Sequence, residues 1–191
     1  MQHNILWKGV EYYSLENCLV SQNTSGYVID SAIVGSYRGK LYSVEYEITT
    51  NTSWETLSIK ASCRHNNKVK QYAFFREANG HWKTTDSTLS QFNGCKDIDI
   101  PVTPFTNTLP IRRLNLSVGE TSDIRVIYFD LLNEKISAVD QRYTKLSKTI
   151  YHYENIPNDF EADIEVDEHG LVVFYPSLFE RKAILDASYP E

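Results

Sequence analysis

Paired cysteines, clustered positive charge and long apolar runs are all scarce in this chain, and each scarcity removes a class of function. The three cysteines, Cys18, Cys63 and Cys95, are odd in number, widely spaced and without a Cys-x-x-Cys pair. Neither a disulfide framework nor a zinc ribbon is built that way, so free thiols are expected. The five histidines show no metal-ligand spacing, and neither a Gly-x-Ser-x-Gly elbow nor a phosphate-cradling glycine loop occurs. No metal or cofactor is expected. Lys and Arg number 19 against 25 Asp and Glu, a net charge of -6. Nucleic acids and anionic membranes reward clustered basic residues, so no nucleic-acid partner is expected. No stretch approaches the 18 apolar residues of a membrane helix, and Met1 to Gly9 lacks the basic start and apolar core of a signal peptide. The expectation is a soluble cytoplasmic protein without stable membrane insertion, one domain over residues 1–191, its oligomeric state open.

Aromatic residues, in contrast, are abundant: 13 Tyr, 8 Phe and 3 Trp beside a single Met. Such side chains favour strands, and tyrosine suits surfaces that are apolar in body and polar at the tip. The dominant period is two. Tyr42, Val44, Tyr46 and Ile48 alternate with polar neighbours, as do Leu57, Ile59, Ala61 and Cys63, which predicts a hairpin through Asn51 to Trp54. Val69 to Arg76 reaches the Asn79-Gly80 turn and returns through Trp82. Ile124, Val126 and Tyr128 alternate, Thr144 to Tyr153 favours strand, and Phe160 to Val166 turns at Asp167 to Gly170 before Leu171 to Tyr175. Only Glu134 to Asp140 and Leu178 to Leu185 carry weak helical signals. The fold class expected is all-β: one large antiparallel, strongly curved sheet, a half-barrel or open barrel, with little helix.

One run breaks the alternation, Gly94 to Leu114. Pro101, Pro104 and Pro110 remove backbone donors, and Asp97, Asp99, Thr103, Thr106, Asn107, Arg112 and Arg113 stand among apolar residues. The mixture suits a rigid polar site, and it equally suits a crossover in which the arginines pair with the aspartates. In an extended segment Asp97 and Asp99 share a face, about 7 Å apart. Such carboxylates do acid and base work if burial raises one pKa; ion pairing is the blander use. Trp7, Trp54 and Trp82 are core packing or stacking platforms. Glu11 extends a polar site or is solvated, and Gln141, Tyr143 and Thr144 form a polar-aromatic cluster able to hold a head group.

The run Gly94-Cys95-x-Asp97-Ile98-Asp99-Ile100 with Thr103 to Leu114 resembles the signature of a bacterial family described as putative glycolipid-binding proteins. Trp7, Glu11, Trp54, Asn79 to Trp82, Gln141-x-Tyr143 and the closing segment Val166 to Pro176 with Phe179 and Arg181 extend the resemblance over nearly the whole chain. It implies an all-β half-barrel similar to periplasmic lipoprotein carriers, holding an amphipathic small molecule such as a glycolipid. By the match of motifs, Asp97, Asp99, Thr106, Asn107, Arg112 and Arg113 are placed near the cavity mouth, with Tyr143, Tyr175 and Arg181 as second choices. The binding protein expected is non-catalytic. Its competitors are a hydrolase or other enzyme on a sugar or lipid using Asp97 or Asp99, and a protein-interaction domain with an exposed sheet edge.

Overall fold

The computed structural model describes residues 2–157 and 159–186. Seven strands form an antiparallel meander: β1 (Gln2–Gly9), β2 (Ser14–Asn23), β3 (Gly26–Tyr37), β4 (Lys40–Asn51), β5 (Thr56–His65), β6 (Lys68–Arg76) and the short β7 (Trp82–Lys83). The chain then passes through β8 (Asp97–Asp99) and α1 (Thr108–Leu114). A second meander follows, comprising β9 (Thr121–Asp130), β10 (Lys135–Lys145), β11 (Ile150–Ile156), β12 (Glu161–Val166), β13 (Val172–Tyr175) and β14 (Phe179–Asp186). Pairing of β14 with β1 joins the two into one open 14-stranded sheet, a half-barrel whose edges are β7 and β8. All pairs are antiparallel except β8 with β9, where Asp97 lies opposite Val126.

Alternation decides which face is inward. Val44, Tyr46 and Ile48 of β4 are buried and stand opposite Cys63, Ala61 and Ile59 of β5, while Glu45, Glu47 and Lys60 face outward. The inward side chains meet the central run, whose Ile98, Ile100, Val102, Phe105 and Leu109 share one core with Ile5, Trp7, Ile29 and Ile33. Farther along, Ile111 and Leu116 pack with Tyr143, Tyr151, Tyr153, Ile164, Val172 and Tyr175 from the second meander. The run therefore fills much of the concave face. Its prolines explain the shape: Pro101 follows β8, Pro104 precedes a 3-10 turn over Phe105–Asn107, and Pro110 lies in the first turn of α1, where a missing N–H costs nothing. Asn115, in the left-handed region at φ 47, ends the helix and donates its N–H to the Ile111 carbonyl.

The two weak helical expectations give way to strands. Residues 135–140 belong to β10, and 179–185 to β14. A helix of seven or eight residues satisfies few of its own backbone groups, whereas β14 sits between β1 and β13, with Ile184 opposite Ile5. The β-favouring stretch Thr144 to Tyr153 is strand at both ends, with residues 146–149 dividing it between β10 and β11. The cysteines are free and buried. No helix of the described residues is long and apolar enough to cross a membrane.

Candidate functional site

A cavity of about 520 Å³ opens where the β1–β2 turn, β8, the 3-10 turn, strands β9, β10 and β11 and the β13–β14 turn converge. Its walls are aromatic: Tyr12, Tyr128, Tyr153, Phe160, Tyr175 and Phe179. Leu178, Ile156 and Val139 add aliphatic surface, and Asp99, Asn107 and Gln141 supply polar groups. Alternation on β10 places Val139, Gln141 and Tyr143 on one inward face, and Tyr153 of β11 stands opposite Tyr143. Tyr143 is fully buried and packs edge-on against Tyr153, ring centroids 5.3 Å apart.

Asp99 is held on both oxygens. Gln141 Nε2 donates to Oδ2 at 2.7 Å and Thr106 Oγ1 donates to Oδ1 at 3.2 Å. Burial raises the Asp99 pKa above the usual carboxylate value, against the opposing pull of these two hydrogen bonds. Around it, burial raises the hydroxyls of Tyr12, Tyr128, Tyr153 and Tyr175, and the charge of Asp99 raises them further. None of these four hydroxyls makes a hydrogen bond to another described residue. Asn107 presents the cavity with a side chain already fixed, since its Oδ1 accepts from Tyr143 OH at 2.9 Å and its Nδ2 donates to the Pro104 carbonyl at 3.2 Å. Acidic residues Glu11, Asp140 and Asp159 also line this cavity, and among the described residues no Lys or Arg does.

The residues expected at the mouth are thus divided. Asp99, Asn107 and Tyr175 line the cavity, and Thr106 and Tyr143 support it through hydrogen bonds. Asp97 and Arg113 do not take part: the wholly buried carboxylate receives Arg113 Nε at 3.0 Å and Nη2 at 2.6 Å, a two-pronged pair. Arg112 lies over the Trp54 ring at 5.4 Å, in a different cleft. Arg181 pairs with Asp167, whose Oδ1 also accepts the N–H groups of His169 and Leu171. Neither arginine of the central run stands at the cavity rim. Tyr12, Tyr128, Tyr153 and Phe160 escape sequence reading because they come from four separate segments; only the surplus of tyrosine signals them.

Glu16 of β2 locks the central run to the sheet. Its Oε1 accepts hydroxyls from Ser31 at 2.7 Å, Tyr46 at 2.7 Å and Thr103 at 2.8 Å. Burial pushes its pKa up to about 7 in spite of these donors. Trp7 and Trp82 are core residues, their indole N–H groups bonded to the carbonyls of Val172 and Cys95. A grouping of His152, Glu154 and Glu161 has ligand atoms within 4.8 Å of one another, but it lies on the outer face of β11 and β12, and His152 Nδ1 is already 2.7 Å from Asp163. A wider open groove of about 740 Å³ along β2 to β6 is lined by residues such as Asp30, Ala32, Glu45, Glu47 and Lys60, with Tyr46 and Tyr72 as its aromatic residues.

Comparison with known proteins agrees with this architecture. The crystal structure of a DUF1089 family protein from Pseudomonas aeruginosa superposes with a TM-score of 0.80 at 32% sequence identity, over 88% of this chain and 92% of that one. No curated protein matches the chain. The model of the family described as "Putative glycolipid-binding" matches residues 4–181. The chain belongs to the family of that description.

Proposed function

We propose that the protein binds a neutral amphipathic glycoside, of glycolipid class, in the Asp99 cavity. The observation that carries this reading is a ring of tyrosine hydroxyls without hydrogen-bond partners among the described residues, around a hydrogen-bonded carboxylate, in a cavity that no Lys or Arg of those residues lines. Sugars offer hydroxyl donors to Asp99 and acceptors to Gln141, Asn107 and the tyrosines, and their apolar faces stack on aromatic rings. The acyl end packs along Ile156, Phe160, Leu178 and Phe179, where each buried methylene contributes about 0.8 kcal/mol. The volume falls within the ordinary range of small-molecule sites. An anionic head would meet Asp99, Glu11 and Asp159 with no Lys or Arg among the described lining residues, and Asp140 already 3.5 Å from an Arg125 nitrogen. The family description is in keeping with this ligand class.

A second reading, hydrolysis with Asp99 as proton donor, has the raised pKa of Asp99 in its favour. The paired carboxylate it would recruit from the same strand, Asp97, is occupied by Arg113. Thermal unfolding in the presence of dodecyl glucoside, dodecyl sulfonate or dodecanol separates these readings. Saturable stabilisation by the glucoside alone is expected, lost in Val139→Trp, which fills the cavity, and the glucoside is recovered intact. Equal stabilisation by the sulfonate would overturn the neutral-glycoside reading, and released glucose would transfer the site to the enzyme reading.

A further inference from the structure

A second cleft, of about 570 Å³, lies toward the opposite end of β1 and shares no lining residue with the Asp99 cavity. In a protein of net charge -6 it gathers Arg112, Arg113, Lys145 and Lys148. Two of the charges around it are already spoken for, since Arg113 pairs with Asp97 and Asp167 pairs with Arg181. Arg112, Lys145 and Lys148 remain, opposed by Glu168, which lies 3.7 Å from the His169 ring. No carboxylate among the described residues lies within ion-pair distance of Arg112.

Arg112 is exposed yet positioned. Its methylenes pass over Gly170, where an added Cβ would come within 2.8 Å of Arg112 Cδ, and its guanidinium lies 5.4 Å from the centre of the Trp54 ring. Trp54 in turn stacks on Tyr27, ring centroids 3.9 Å apart. A guanidinium stacked on an indole keeps its in-plane N–H groups free for a planar or tetrahedral oxyanion. An independent feature points to the same place. His3 is 4% exposed, its Nδ1 is paired with Asp186, and its Nε2 is buried without a hydrogen-bond partner among the described residues. That ring lines a recess of about 20 Å³ together with Tyr27, Trp54, Arg112 and His169, room for a single oxygen-sized atom.

We infer that the cleft formed by Arg112, Trp54, Lys145 and Lys148, with His3 in its recess, is a binding site for a phosphate ester. Arg112 and the lysines neutralise the phosphoryl oxygens, the Trp54 and Tyr27 rings pack against the esterified group, and His3 Nε2 meets an atom entering the recess. A free metabolite and a phospholipid head group offer the same chemistry.

The test is a titration at constant ionic strength, followed by the indole N–H resonance of Trp54, which unlike those of Trp7 and Trp82 has no carbonyl partner among the described residues. The probes are inorganic phosphate, glycerol 3-phosphate, sodium chloride, and vesicles of phosphatidylglycerol or phosphatidylcholine. A saturable shift with glycerol 3-phosphate, at least about tenfold weaker in Arg112→Gln and weakened in Lys148→Gln, is the expected result. A response to phosphatidylglycerol vesicles alone, again dependent on Arg112, identifies the source as a lipid head group. Saturation by none of the phosphate probes, a shift that chloride reproduces, or unchanged binding by both exposed-residue variants would overturn the site. Because these probes carry no glycoside, either result leaves the Asp99 reading untouched.

Discussion

Asp97 and Asp99 stand two residues apart on one strand and meet different fates because of what the rest of the central run brings to each. The shared parity is readable from the sequence. What is not readable is that α1 returns Arg113 to Asp97, while β10 presents Gln141, a neutral donor, to Asp99. One carboxylate becomes a structural ion pair and the other stays available at a cavity. Glu16 gave no signal in the sequence, because an acidic residue on an alternating strand reads as solvent-facing; burial follows only once Thr103 closes over it. Its chemistry has a consequence for stability. The unfolded chain releases the Glu16 proton near 4.5, the ordinary value for a glutamate, and the folded protein only near 7. Between these values ionisation favours the unfolded state, so stability falls as pH rises and levels off above about 7, a loss on the order of 3 kcal/mol from this group. Glu16→Gln, which mimics the protonated acid, is expected to flatten that decline in urea denaturation curves recorded from pH 4.5 to 8. Parallel curves for the two proteins would mean that Glu16 ionises freely in the fold.

At the scale of elements, the alternating strands β4, β5, β9 and β12 are legible because a buried face and a wet face impose period two. The first half of β10 and most of β14 lack that clean alternation, and their conformation is decided by pairing, β10 with β9 and β11 beside it in sequence and β14 with the distant β1. The central run is the element on which both sites depend. Its 3-10 turn carries Asn107 to the cavity and its helix carries Arg112 to the basic cleft, so seven residues of α1 bridge the two. Phe105, fully buried between the turn and the sheet core, anchors it. Phe105→Ala is expected to cost about 3–5 kcal/mol by chemical denaturation, the range for truncating a buried aromatic. A loss below about 1 kcal/mol would show that the run is not held by its apolar face.

For the whole molecule, the curved sheet was foreseeable and its contents were not. A half-barrel of this size has a concave face too broad to leave open, and the chain closes most of it with its own proline-stiffened segment, leaving one aromatic cavity beside that segment. The arrangement places rigid polar groups at the cavity without exposing the hydrophobic core, which is what recognition of a hydroxyl-rich head attached to an apolar tail requires. The resemblance in sequence places both arginines of the segment at a cavity mouth; adjacent residues on a helix turn point about 100° apart, and in the fold Arg112 and Arg113 line the basic cleft and not the Asp99 cavity. Native mass spectrometry of the gently purified protein, followed by organic extraction of what it carries, tests the cavity reading most directly. The account predicts a one-to-one complex with a neutral glycoside-bearing lipid, absent from Val139→Trp. Protein at its sequence mass that also takes up no dodecyl glucoside on addition would contradict it.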